Sequence, residues 1–211
     1  MKQFLLLFVL IIFIITNSWS QISLQPRAGV KAGLNISNLA TDLIEDKNNR
    51  YGYHVGFFSL IPLSQRFGLQ LEIAYNTKGA GITTNQDFEF GTNPPTEVEV
   101  YLNYFTLPVA AVYQVNKFVT FRGGLYGNLL LSSQVNAIGT DITPNVGKDD
   151  FDQFGYGWYL EAGFNVNPIT LGVSYSRGIN AIGNEGLPGQ YMDNTRHSII
   201  QMFVEYSFRT P

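Results

Sequence analysis

RAGVKAGLNIS, residues 27–37, alternates without a fault: Ala28, Val30, Ala32, Leu34 and Ile36 fall on one parity, Arg27, Gly29, Lys31, Gly33, Asn35 and Ser37 on the other. Strict period two marks a β-strand with one apolar and one polar face, because successive side chains of a strand point to opposite sides. The apolar face is the core of a soluble sandwich but the outside of a membrane barrel. Deciding which face meets water therefore decides the fold.

Further segments behave alike. FGLQLEIAYN (67–76), FGYGWYLEAGFNV (154–166) and ITLGVSYS (169–176) alternate cleanly, and weaker alternation runs through Tyr51–Ile61, Val98–Tyr113, Phe118–Leu131 and His197–Phe208. In Val98–Tyr113 the phase slips near Tyr104 and Phe105, which predicts a bulge there. Pro108 in the same segment is poorly suited to a central strand.

The connections between these segments also alternate. Residues 62–66, 114–117 and 167–168 make short turns, whereas 38–50, 79–97, 132–153 and 178–196 are long and polar. Short turns at one end, long loops at the other and both termini on the short side predict an all-β, eight-stranded antiparallel transmembrane barrel with periplasmic turns and extracellular loops. A soluble barrel has no physical reason to sort its loops in this way.

Aromatic placement points in the same direction. Tyr51, Tyr53, Tyr75, Phe154, Tyr156, Trp158 and Tyr175 fall toward the long-loop rim, and Phe67, Tyr113, Phe164, Tyr206 and Phe208 toward the short-turn rim. Two such belts match the interfacial girdles of a membrane barrel. Only 14% of the chain is charged, against roughly 25% in soluble domains.

The first 20 residues form a separate unit. Lys2 precedes an unbroken apolar run from Phe4 to Ile15, and Thr16 to Ser20 are mostly small and polar, so residues 1–20 read as a signal peptide cleaved near Ser20/Gln21. Residues 21–211 then form one outer-membrane barrel domain. Without cysteine the chain makes no disulfide, lipid attachment or thiolate metal site. Its formal charge of −3 supplies no basic footprint for nucleic acid.

Eight strands enclose a lumen that side chains can fill. The lumen parity is expected to carry Lys31, Glu72, Arg122, Glu161, Arg177 and Glu205, three cations against three anions, together with Asn35, Gln70, Asn103, Asn128, Asn165 and Gln201. Such a balanced set predicts an internal salt-bridge network with a structural role, in which Lys31 pairs with Glu72 or Glu205. Glycines on the same parity leave room for the long charged side chains.

Catalytic and metal signals are weak. His54 and His197 are the only histidines, and His197 and Ser198, as strand neighbours, should point to opposite faces. Asp149, Asp150 and Asp152 could offer oxygen ligands to calcium, although a solvated acidic loop has the same composition. No catalytic residue, cofactor or metal site is expected. The partners expected are outer-membrane lipid, the barrel-assembly machinery and envelope or extracellular proteins that meet the four long loops.

GVKAGLNISN (29–38), YGYHVGFFSLIPLSQRFGLQLEIAYNTKGA (51–80), LNYFTLPVAAVY (102–113) and FRGGLYGNLLLS (121–132) together resemble the PorT-like outer-membrane β-barrel family of Bacteroidota. The resemblance implies a barrel architecture in the outer membrane. The family's namesake takes part in type IX protein secretion, so the resemblance also admits a component of a secretion assembly. It marks strands and turns and carries over no functional residue. A non-enzymatic barrel with a plugged polar interior and an interaction role is the first expectation; a narrow pore or a lipid-modifying barrel enzyme are the alternatives.

Overall fold

The computed structural model describes residues 23–40, 47–48, 50–84, 96–138, 152–180 and 196–208. Its long strands are β1 (Arg27–Ala40), β2 (Arg50–Pro62), β3 (Phe67–Thr84), β4 (Thr96–Gln114), β5 (Val119–Ile138), β6 (Phe154–Val166), β7 (Ile169–Gly178) and β8 (Arg196–Ser207). Each pairs antiparallel with its neighbour in sequence, and β1 also pairs with β8, so eight strands close into a barrel. A two-residue segment, Lys47–Asn48, adds to the edge of β3 near Gly81 and Ile82. Closure leaves no long unpaired edge, the condition for a sheet to stand in lipid.

The barrel is inverted relative to a soluble protein. Phe57 and Leu125 are each 65% exposed and Leu34 60%, while Lys31, Arg122 and Glu205 are buried. Continuous apolar exposure of this kind is stable only against another apolar phase. In β1, Ala28, Ala32 and Leu34 are exposed, Val30 and Ile36 half-exposed, and Lys31, Asn35 and Ser37 buried. Aromatic pairs stand on the outer surface at both ends: Phe67 with Tyr113 at 4.9 Å on the short-turn side, Trp158 with Tyr175 at 5.6 Å on the other.

Side chains close the short turns. Asn116 Oδ1 accepts from the backbone N–H of Phe118 and Val119, both at 2.8 Å, and Ser64 Oγ accepts from Phe67 N–H at 3.1 Å. These bonds satisfy donors that the ladder leaves free, which is why Asn and Ser suit such turns.

The structure departs from the sequence reading in two details of strand geometry. The phase of β4 does not slip: Leu102, Tyr104, Thr106, Ala110 and Val112 are all buried. The irregularity lies in the facing strand, where Asn103 pairs with Ser132 and Tyr104 with Leu130, so Leu131 of β5 is the extra residue. A bulge relieves register from either side of a pair, and period alone does not say which strand carries it. Strands β3, β4 and β5 also run on to Thr84, from Thr96 and to Ile138, so the stretches 79–97 and 132–153 are strand for part of their length. Pro108 keeps its place opposite Tyr126, while pairing between β3 and β4 is interrupted between Leu71/Val109 and Ala74/Thr106.

Candidate functional site

The inner face of β3 reads as a ladder through the interior, from the short-turn end toward the long loops: Gly68, Gln70, Glu72, Asn76 and Lys78, all buried. The rungs pass through successive chemical layers.

At the bottom, Leu24 packs with Leu60 and Val112 in a buried apolar cluster, and its N–H donates to Gln65 O at 2.9 Å. The segment before β1 thereby turns into the barrel mouth. Gly68 makes the space, since a Cβ there would lie 2.7 Å from a Leu24 methyl.

Above this plug lies the charge network. The guanidinium of Arg122 donates to both carboxylate oxygens of Glu205, at 2.9 and 2.7 Å, and also bonds Glu161. Lys31 Nζ donates to Glu161 at 2.7 Å and Glu72 at 3.1 Å. Gln70 Nε2 donates to Glu205 at 3.3 Å. The Phe203 ring lies beneath Lys31 Nζ, 4.4 Å from its centroid. Bidentate and shared pairing offsets the desolvation that isolated buried charges would suffer.

The next layer is built from amides and hydroxyls. Asn35 Nδ2 donates to the backbone oxygens of Tyr53 and Thr77, at 3.1 and 3.0 Å. Its Oδ1 therefore faces Gln201 Nε2 and His54 Nδ1, each at 2.8 Å. Because that oxygen only accepts, His54 carries a proton on Nδ1, leaving Nε2 buried without a hydrogen-bond partner. Asn76 donates to Thr106 at 3.0 Å, and Thr106 to Asn128 at 2.8 Å. Highest on the ladder, Lys78 Nζ stands 5.1 and 5.0 Å from the ring centroids of Tyr104 and Tyr126.

Five of the six charged residues expected in the lumen come together: Lys31, Glu72, Arg122, Glu161 and Glu205. Arg177 does not. It is exposed, because it follows Tyr175 by two residues and so shares the outer face of β7, beside Trp158 in register. Lys31 meets Glu72 and Glu161 rather than Glu205, whose oxygens are taken by Arg122. Reading across the barrel, not along neighbouring strands, is what joins Lys31 to Glu161.

The two cations and three carboxylates that pair carry one negative charge in excess among themselves, and the half-buried Arg27 of β1 and the buried Lys78 on the long-loop side are further cations. The sequence reading passed over Lys78, although it shares the parity of Glu72 and Asn76. It also missed Leu24 and the inward-facing Phe58, Leu60, Leu130, Ile199 and Phe203, which make the lumen wall partly apolar. No periodic signal could have placed Leu24, which precedes the first strand.

Of the residues weighed for catalysis, Ser198 donates to the Tyr175 hydroxyl at 3.3 Å, and Tyr175 faces outward. The side chain of His197 and residues Asp149 and Asp150 lie outside the described residues, and Asp152 is half-buried.

The fold is similar to that of solved outer-membrane proteins. Ail, the attachment invasion locus protein of Yersinia pestis, solved with the heparin analogue sucrose octasulfate, aligns over 88% of this chain and 100% of its own at 14% identity and a TM-score of 0.50. Neisserial surface protein A aligns over 86% of this chain and 97% of its own at 15% identity and a TM-score of 0.50. No curated protein matches the sequence significantly. The family model described as the outer membrane protein beta-barrel domain matches residues 19–184. With its closed antiparallel barrel, apolar exterior and paired polar interior, this chain belongs to that family of outer-membrane β-barrel domains.

Proposed function

We propose that this protein is a non-enzymatic barrel with a plugged interior, working as a structural or interaction element of the outer membrane through loops 38–50, 79–97, 132–153 and 178–196. The observation that carries the reading is the layered interior. Leu24, Leu60 and Val112 fill the short-turn mouth, and Lys31, Glu72, Arg122, Glu161 and Glu205 bind one another above it. An ion crossing this path must break buried pairs, at several kcal/mol each. The charge network thus has a structural role, holding the strands together from inside.

Residues 1–20 direct export and are removed near Ser20/Gln21, after which the barrel-assembly machinery inserts the domain. Release at Gln21 places a new N-terminus close to Leu24, the residue that enters the mouth. Within the family, the four stretches that resemble PorT-like barrels of Bacteroidota favour that narrower affiliation. They also support a second reading, a component of a type IX-like secretion assembly.

Purified protein in a planar bilayer should give no discrete conductance steps, and reproducible single-channel openings would overturn the plugged reading. Intact mass of protein from the outer-membrane fraction should correspond to a chain beginning at or beside Gln21. For the interaction role, partners cross-linked on cells should be lost when the 179–195 loop is shortened; retention after shortening each long loop in turn would refute loop-borne contact.

A further inference from the structure

The long-loop side of the charge network holds a small cavity of about 30 Å3, whose lining includes Lys78, His54, Ser176, Tyr126 and Gln201. Lys78 is only 3% exposed, and no carboxylate among the described residues pairs with it. Its ammonium has three donors, and among the described residues the contacts that face it are the rings of Tyr104 and Tyr126. Aromatic faces attract a cation but satisfy none of its N–H groups fully. Across the same lining, His54 Nε2 is a buried acceptor with no donor. Glu72 and Glu161 also reach this cavity, but their charge is held by Lys31 and Arg122.

A cation with no carboxylate partner among the described residues and an unmet neutral acceptor, in one small polar cavity, are complementary to a ligand bearing both O⁻ and O–H. We propose that this cavity binds a small, singly protonated oxyanion from solution, of the class of hydrogen phosphate or bicarbonate. Its charged oxygens accept from Lys78 Nζ, and its hydroxyl donates to His54 Nε2. A lipid phosphate is not the ligand, since the strand wall separates the cavity from the bilayer. The site requires only the folded barrel and is independent of whether the protein conducts ions or meets a partner.

The test is calorimetric titration of the folded, full barrel in a phosphate-free zwitterionic detergent, with inorganic phosphate as probe and chloride as the control anion. Saturable binding of phosphate with a stoichiometry of one is expected, at least tenfold weaker in Lys78→Met and unchanged in Lys117→Met, whose lysine is exposed on a turn. Folding is checked by the heat-dependent gel shift. Should Lys78→Met fail to fold, Ser176→Leu, which fills the cavity without removing charge, must show the same loss. No saturable binding by the parent protein, or undiminished binding by the folded variant, overturns the proposal. Equal saturation by chloride overturns the assignment of an oxyanion.

Discussion

Replacing Lys31 by Met keeps the four-atom stem that crosses the lumen and removes only the charge. Lys31 is buried and donates to Glu161 at 2.7 Å and Glu72 at 3.1 Å. After the change Glu161 still holds Arg122, but Glu72 has no other cation within reach among the described residues. One buried carboxylate is thus orphaned, for which a cost of about 3–5 kcal/mol is typical. The excess negative charge among the paired groups grows from one to two. Urea unfolding from lipid vesicles, followed by Trp158 fluorescence and gel mobility, should report the loss. The double variant Lys31→Met/Glu72→Gln should be less destabilised than the sum of the singles by about 1–3 kcal/mol, since both members of one pair are gone. Arg177→Ala, on the outer face, should stay within about 0.5 kcal/mol of the parent. The reasoning fails if Lys31→Met unfolds like the parent, if Arg177→Ala costs as much, or if the double variant is simply additive.

Other expectations follow from single contacts. Gly172→Val drives a Cβ into the Phe203 ring that supports Lys31, and should cost about 1–3 kcal/mol by overpacking in the same unfolding assay; a neutral result would mean that the ring is free to move. Phe57→Arg places a charge on the exposed apolar belt of β2 and should cost about 2–4 kcal/mol in a bilayer, whereas Phe57→Leu should be tolerated, so equal effects would argue against lipid contact. A thiol at position 24 (Leu24→Cys) should resist maleimide in the folded barrel and become reactive when Gly68→Leu is added, because that side chain occupies the space of Leu24; prompt labelling without the second change would show that the mouth is not plugged.

Much of this architecture was legible because a two-sided strand in lipid leaves a strong mark. In RAGVKAGLNIS each apolar residue faces out and Lys31, Asn35 and Ser37 face in, as the alternation requires. The short turns were equally local, since Asn116 and Ser64 bond to N–H groups two or three residues away. The outward place of Arg177 is a matter of parity within a readable strand, since Tyr175, two residues earlier, already sets that face. The bulge expected in β4 lies in β5, because register is a property of a pair of strands.

What the sequence by itself determined is the set of faces: which residues meet lipid, which meet the lumen, and at which end the long connections lie. Period two, turn chemistry and loop length are local, and each residue carries its share of them. Only the tertiary structure decided who meets whom inside. Lys31 joins Glu161 across 130 positions of chain, Arg122 takes Glu205, Leu24 enters the mouth, and Lys78 is left among tyrosines. Those partners follow from closure of the barrel between β1 and β8 and from the tilt and stagger that closure imposes. Closure is a property of all eight strands together, and no single stretch of the chain carries it.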